Sequence, residues 1–214
     1  MAITTYATLV TAVGNWLARD DLSDRIPEFI ALAEAKFNRV LMHPGMEKRS
    51  TTTADTGDSE PEFITLPSDF QTMRRVRLSS VTGKPTLEYL SQIQMADYRY
   101  GRDNVTGQPL YFSIMGGEME LAPTPNSNYT IEMVYRAYIS ALSASNTTNW
   151  LLTLAPDAYL YGALLESVPY IGQDDRLPVW ASALSTVLDQ INTLGHRQSV
   201  DAGPSSVTLP GVTP

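Results

Sequence analysis

Few residues in this chain could do chemistry, and most of them sit where structure alone would account for them. Catalysis needs titratable groups gathered in a pocket. The two histidines, His43 and His196, stand just before Pro44 and just after Gly195. Both are expected to face the last carbonyls of a helix rather than to act as bases. Asp189 and His196 could meet across two helical turns, but no nucleophile stands in a recognisable turn beside them. The pairs Asp20-Asp21 and Asp174-Asp175 fall at helix boundaries, where capping explains them. Glu118 and Glu120 share one face of a strand and could hold a cation; the expectation is that they stay solvated. Arg74, Arg75 and Arg77 could line a surface that meets phosphates, and the preferred reading pairs them with nearby acids. No Gly-x-Ser-x-Gly, no phosphate-binding glycine loop and no His-Glu-x-x-His occurs. Gly116-Gly117 reads as a hairpin turn, since no helix follows it. No catalytic residue, metal ligand or cofactor is assigned.

Composition narrows the field further. The chain has 214 residues, 43% of them hydrophobic and 18% charged, with a net charge of −8. It is long enough to bury a core, and its acidity argues against a general nucleic-acid coat or a polybasic membrane binder. The charge is uneven: Glu47 to Arg102 holds eight acids and eight bases, whereas Asp103 to Gly195 holds nine acids against Arg136 and Arg176. Twelve of the fifteen bases are arginine, the residue suited to interfaces and fixed ion pairs. With no cysteine, a disulfide framework and a cysteine-based zinc site are excluded. The start of the chain is not expected to be a signal peptide, and no apolar run reaches the ~20 residues of a membrane span. The glycosylation-like triplets at Asn104, Asn128 and Asn146 read as ordinary turns.

The elements that must position these residues are helices around a β insertion. Tyr6, Leu9, Val10, Val13 and Leu17 mark one helical face, broken at Arg19–Asp24. Ser23 or Asp24 is expected to cap a second helix, on which Ile26, Phe29, Ile30, Ala33, Phe37, Val40 and Leu41 recur. Ser50 to Glu60 reads as a mobile loop. From Pro61 to Ile139 the signals are strand and turn, with a short helix after the capping box at Ser91–Gln94. A hairpin is expected across Gly116-Gly117, and the clearest long strand is Tyr129 to Tyr138. Helix returns after Trp150, with Pro156 in a first turn and Pro169 as an early end or kink. Tyr159 and Tyr161 read as core positions; a sharper reading packs them against a second subunit. Asp174 is expected to cap a last helix seamed by Leu177, Trp180, Leu184, Val187, Leu188 and Ile191, which Gly195 terminates. His196 to Pro214 is too broken by Gly and Pro for a helix.

The predicted fold class is α+β: a mainly α-helical bundle, with two N-terminal and two C-terminal helices, a small antiparallel β insertion, and an extended C-terminal arm. The expected divisions are 1–46 with 147–195 for the bundle, 47–146 for the insertion and 196–214 for the arm.

Five segments in order carry a resemblance. They are Phe29-Ile30-Ala31-Leu32-Ala33-Glu34-Ala35-Lys36-Phe37-Asn38-Arg39, Leu66-Pro67-Ser68-Asp69-Phe70, Gly107-Gln108-Pro109-Leu110-Tyr111-Phe112, Leu121-Ala122-Pro123-Thr124-Pro125, and Asn149-Trp150-Leu151-Leu152 with Pro156 to Leu164. Together, from about Tyr6 to Leu194, the chain resembles the head-to-tail connector, or portal adaptor, proteins of tailed bacteriophages. The resemblance implies a non-enzymatic virion protein of the neck, made in the host cytoplasm. It implies a dodecameric ring beneath the portal protein, in contact with neighbouring adaptor subunits, that carries tail, nozzle or tail-fibre proteins. DNA would pass through the lumen without sequence-specific binding, and no membrane is involved. The family supplies no catalytic residues to transfer.

The tail agrees on its own residues. After Arg197 its only charged side chain is Asp201, and Val200, Val207, Leu209 and Val212 alternate with turn formers. That pattern suits strand addition onto a partner, so these four are the candidate partner-binding residues. Two other classes stay open: a soluble enzyme with an unrecognised acidic site, and a sugar- or protein-binding module with a shelf formed by Tyr98, Tyr100, Tyr111 or Tyr135.

Overall fold

The computed structural model describes residues 2–102, 105–172 and 174–201. In chain order the helices are α1 (Tyr6–Leu17), α2 (Ile26–Val40), α3 (Gln92–Arg99), α4 (Trp150–Leu154), α5 (Pro156–Ile171) and α6 (Leu177–Asp201). The strands are β1 (Glu47–Ala54), β2 (Phe63–Thr65), β3 (Phe70–Leu78), β4 (Glu88–Tyr89), β5 (Thr106–Gly107), β6 (Tyr111–Met115), β7 (Glu118–Ala122), β8 (Thr124–Pro125) and β9 (Tyr129–Ala137). Among the described residues the fold is therefore α+β. It divides into two compact units, a helical one at 1–46 with 139–214 and a β-rich one at 47–138.

The helical unit is organised around α5, which contacts α1, α2, α4 and α6. Its buried residues Ala158, Tyr159, Leu160, Gly162, Ala163, Leu164 and Ser167 surround much of the helix, as a central helix requires. From α2 come Ile26, Phe29, Ile30, Ala33 and Phe37, each close to fully buried and each contributing roughly 1.5–3 kcal/mol where a large side chain leaves water. A Cβ on Gly162 would lie 2.7 Å from Phe37 Cζ and 3.0 Å from Ala33 Cβ, so the missing side chain lets α2 and α5 approach. Ile139 and Leu142 are buried in this same core.

The β-rich unit holds an antiparallel sheet β1-β9-β3, a second sheet β2-β7-β6-β4 and the pair β5-β8. Val76, Leu78, Met119, Leu121, Ile131 and Met133 meet in its own core. The β6–β7 hairpin turns on Gly116 and Gly117 at φ 59 and 98, the positive pair a two-residue turn demands. The capping box at Ser91 and Gln94 starts α3 as the sequence indicates.

Four sequence expectations are corrected. Ser50 to Ala54 is strand rather than loop: β1 pairs along its whole length with β9, from Glu47 opposite Arg136 to Ala54 opposite Tyr129. Its partner lies far along the chain, so polar composition misled; the β-branched run Thr51–Thr53 suits the ladder. Helix α2 starts after Arg25 with no side-chain cap, in place of one from Ser23 or Asp24. There the preceding 3-10 turn and the buried Leu22 and Ile26 fix the entry. Helix α5 runs through Pro169 to Ile171, so the early end expected at Pro169 is not found; Pro169 lies within two residues of the helix's last position, where few backbone bonds follow it.

The last correction concerns Gly195. Helix α6 continues through it to Asp201, so residues 196–201 are helix and not the start of an extended arm. Gly195 acts by close approach: a Cβ there would lie 2.6 Å from the Met42 carbonyl oxygen and 2.9 Å from His43 Cα. Helix propensity alone would make Gly195→Ala stabilising by about 1 kcal/mol. The contact reverses the sign, and a net loss of roughly 1–3 kcal/mol is expected from overpacking against backbone. The shift of the urea-unfolding midpoint measures it.

Candidate functional site

The most constrained polar site lies between α2 and α5. Glu34 falls on the buried face of α2 and is only 5% exposed. Its Oε1 accepts the Leu142 backbone N–H at 2.9 Å and the Tyr159 hydroxyl at 2.9 Å. Tyr159, fully buried on α5, in turn accepts from Asn149 Nδ2 at 2.7 Å. Asn149 Nδ2 also donates to the Ser140 carbonyl, while its Oδ1 caps α4 through Leu152 N–H. One turn beyond Glu34, Asn38 Oδ1 accepts the Ile139 N–H at 2.8 Å. Two helices and the strap at 139–142 are thereby tied by one polar chain. Burial pushes the Glu34 carboxyl above its ordinary range, against the lowering influence of its two donors. Burial and the neighbouring Glu34 raise the Tyr159 phenol.

Glu34, Asn38 and Asn149 stand in the sequence motifs with no task assigned, and Tyr159 is read there only as a core position. The available signal was a carboxylate in register with Ile30, Ala33 and Phe37. Such a position either carries a buried partner or is not core. Tyr159 is a core residue, its ring edge-on to Phe37. Tyr161 meets Trp16 of its own chain, with ring centroids 5.9 Å apart.

The histidines do not come together. His43 stacks on Trp150 at 4.9 Å with the rings 10° apart, and its Nδ1 accepts Gly45 N–H. Burial pushes its pKa down, so it is neutral packing material and not a cap on carbonyls. His196 is exposed on α6, and no hydrogen bond or ion pair joins it to Asp189.

The carboxylates have local duties. Asp21 takes Arg19, and Asp174 accepts the Arg176 N–H and guanidinium in the turn before α6. Glu120 pairs with Arg99, whose guanidinium also reaches the Leu121 carbonyl, and Glu118 stays exposed. Among the described residues no group of three or more His, Cys, Asp or Glu is placed to hold a metal ion.

Glu132, at the centre of β9, is the second buried acid. Arg77 and Arg49 donate to its Oε2 at 3.0 and 2.9 Å, Arg77 Nε lies 2.7 Å from Oε1, and Arg75 stands at 3.7 Å. Arg77 first, then Arg49, hold this carboxyl below the usual range. Arg74 pairs with Glu47. Ion pairing, the reading preferred from sequence, therefore accounts for Arg74, Arg75 and Arg77. Of the tyrosines offered as a shelf, Tyr98 and Tyr111 meet edge-on at 5.1 Å, with Arg102 over Tyr98. Tyr100 is exposed, and Tyr135 is buried and donates to Asp69.

The helical unit leaves large apolar side chains in solvent: Leu32 and Val40 on α2, Met42 after it, and Val179 on α6. Of the four candidate arm residues, Val200 lies on the backbone of α6, and Val207, Leu209 and Val212 fall outside the described residues. No helix among the described residues is long and apolar enough to cross a membrane.

Buried polar groups thus tie elements together within each unit, the buried Glu132 is engaged by arginine, and several large apolar side chains stay exposed on the helices. The family model for the SU10 adaptor protein matches residues 4–210. The chain belongs to that family, consistent with a phage head-to-tail adaptor. No curated protein matches the sequence.

Two measurements test the buried acids. A carboxyl whose folded pKa is raised binds its proton more tightly when folded. Its contribution is therefore greatest below the ordinary value of 4.5 and declines as pH rises past it. Glu34→Gln keeps an acceptor for both donors and removes that decline, so it should match or exceed the wild type at neutral pH. Glu34→Ala should lose about 1–3 kcal/mol for each donor left unpaired. Urea titrations across pH check both. Glu132 has the opposite sign: its stabilisation is present above 4.5 and lost as pH falls through its depressed folded value. The stability gap between wild type and Glu132→Gln should therefore close in acid.

Proposed function

We propose that this protein is a structural head-to-tail adaptor that forms a ring beneath the phage portal. The ring extends the DNA channel and offers the platform to which tail, nozzle or tail-fibre proteins attach. The observation that carries this reading is the family match, which takes in 207 of the 214 residues in one stretch, from 4 to 210. The exposed Leu32, Val40, Met42 and Val179 support it, since apolar side chains on an assembly subunit find their cover in neighbours. In this reading the protein is not an enzyme, needs no cofactor, resides in the virion neck, and passes DNA without reading its sequence.

In this reading the residues after Asp201 serve as the C-terminal arm, with Val207, Leu209 and Val212 meeting the portal or an adjacent subunit. Main-chain hydrogen bonds would supply affinity and the alternating apolar side chains would supply register. The family match extends to residue 210, which supports a shared role for residues beyond Asp201.

Truncation after Asp201 tests the arm. Far-UV circular dichroism and the urea midpoint should be unchanged, because the buried cores lie within the retained residues. Co-sedimentation with portal-bearing capsids should be lost, and docking at the full-length level removes the arm from the proposal. Failure of the full-length protein to dock at all would remove the adaptor reading itself.

A further inference from the structure

The outer face of the β1-β9-β3 sheet is strongly basic in an acidic protein. Strand alternation sends Ile131, Met133 and Tyr135 of β9 to the core and Glu132, Val134 and Arg136 to the other side. In register with them stand Arg49 on β1 and Arg75 and Arg77 on β3. Arg74, at the β3 irregularity between Met73 and Arg75, joins that side through its ion pair with Glu47. Five arginines thus share two carboxylates, Glu47 and Glu132. Arg49 and Arg75 remain 67% and 49% exposed although they pair with Glu132.

The counterpart lies in the same unit. The turn after β1 carries Asp55, Asp58, Glu60 and Glu62 with no base among residues 55–62. Asp55, Asp58 and Glu60 are exposed, and none of the four carboxylates forms an ion pair among the described residues. In the structure the loop does not pair with the arginines. Thr56 is tied to Asn128 through its N–H and hydroxyl at 3.0 and 2.9 Å, which fixes the loop root at the Ala54 end of β1. Arg49 lies six residues back along the strand, about 20 Å away at ~3.3 Å per residue.

We propose that the arginine face of one copy receives the Asp55–Glu62 loop of another. Two different patches of one unit can make a head-to-tail contact, the kind that repeats around a ring. Charge complementarity sets the register and speeds encounter. This inference rests on the ring-forming reading above and assigns surfaces to its subunit contact.

Charge reversal tests it on the full-length chain. At low ionic strength, sedimentation velocity should show wild-type association that rises with concentration and weakens with salt. The pair Arg49→Glu with Arg75→Glu should weaken it roughly tenfold or more, as should Asp58→Lys with Glu60→Lys. A chain carrying all four substitutions should associate again, a recovery that damage to the fold cannot produce. Urea midpoints report folding, and Arg49→Gln with Arg75→Gln serves if the reversal at the sheet unfolds the chain. A wild-type protein that stays monomeric, or a fourfold variant that does not recover, overturns the proposal. So does binding of a duplex DNA probe that needs Arg49 and Arg75 in a protein that does not self-associate. Capsid docking is read separately: docking without this pairing sinks the contact and spares the adaptor reading, and pairing without docking does the reverse.

Discussion

A carboxylate shut between two helices must find donors, or the helices cannot close over it. Glu34 is that carboxylate, and the helical unit is arranged around its needs. The Tyr159 hydroxyl reaches it from α5, and the Leu142 N–H reaches it from the strap that returns the chain to the helices. Asn149 donates to the Tyr159 oxygen, which directs the hydroxyl proton to Glu34. Asn149 is held at that spot because it also caps α4. A buried polar chain of this kind is costly unless every member is satisfied, and once satisfied it selects one arrangement of its elements over others. The close approach of Phe37 to Gly162 and Tyr159 and the hydrogen bond from Tyr159 to Glu34 fix the same arrangement of α2 and α5.

The β-rich unit solves a similar problem with charge. Glu132 sits nearly buried in the middle strand and is answered by arginines from both neighbouring strands. Only one carboxylate stands at the centre, so the cations around it are not neutralised. The structural solution for one buried acid thereby creates a basic face on a chain of net charge −8. In the proposed contact between copies, stability within the subunit and recognition between subunits would draw on the same side chains.

Much of this was legible in the residues. The apolar stripes of α1, α2 and α5, the Pro156 start and the Ser91 capping box are local signals, and each became the element it indicated. The Gly116-Gly117 hairpin followed from backbone freedom alone. Misreadings came where a distant partner overruled local character. Ser50 to Ala54 looks like loop until β9 lies beside it, and Gly195 looks like a terminator until the chain at Met42 and His43 lies against it.

The sequence by itself determined the classes of protein this chain could be. It holds no nucleophile with a base beside it and no metal-binding spacing, and it has helical and β-rich stretches in an order that resembles phage adaptors. Those properties are carried by residue type and spacing, which act over one turn or one strand. The tertiary structure decided what the potentially chemical residues do. It turned His43 into a stacking partner for Trp150, set Arg74, Arg75 and Arg77 around acids, and gave Glu34 its task. The reason is that burial and hydrogen-bond partners come from residues far along the chain, 55 positions for Arg77 and Glu132 and 125 for Glu34 and Tyr159, and no local pattern encodes them.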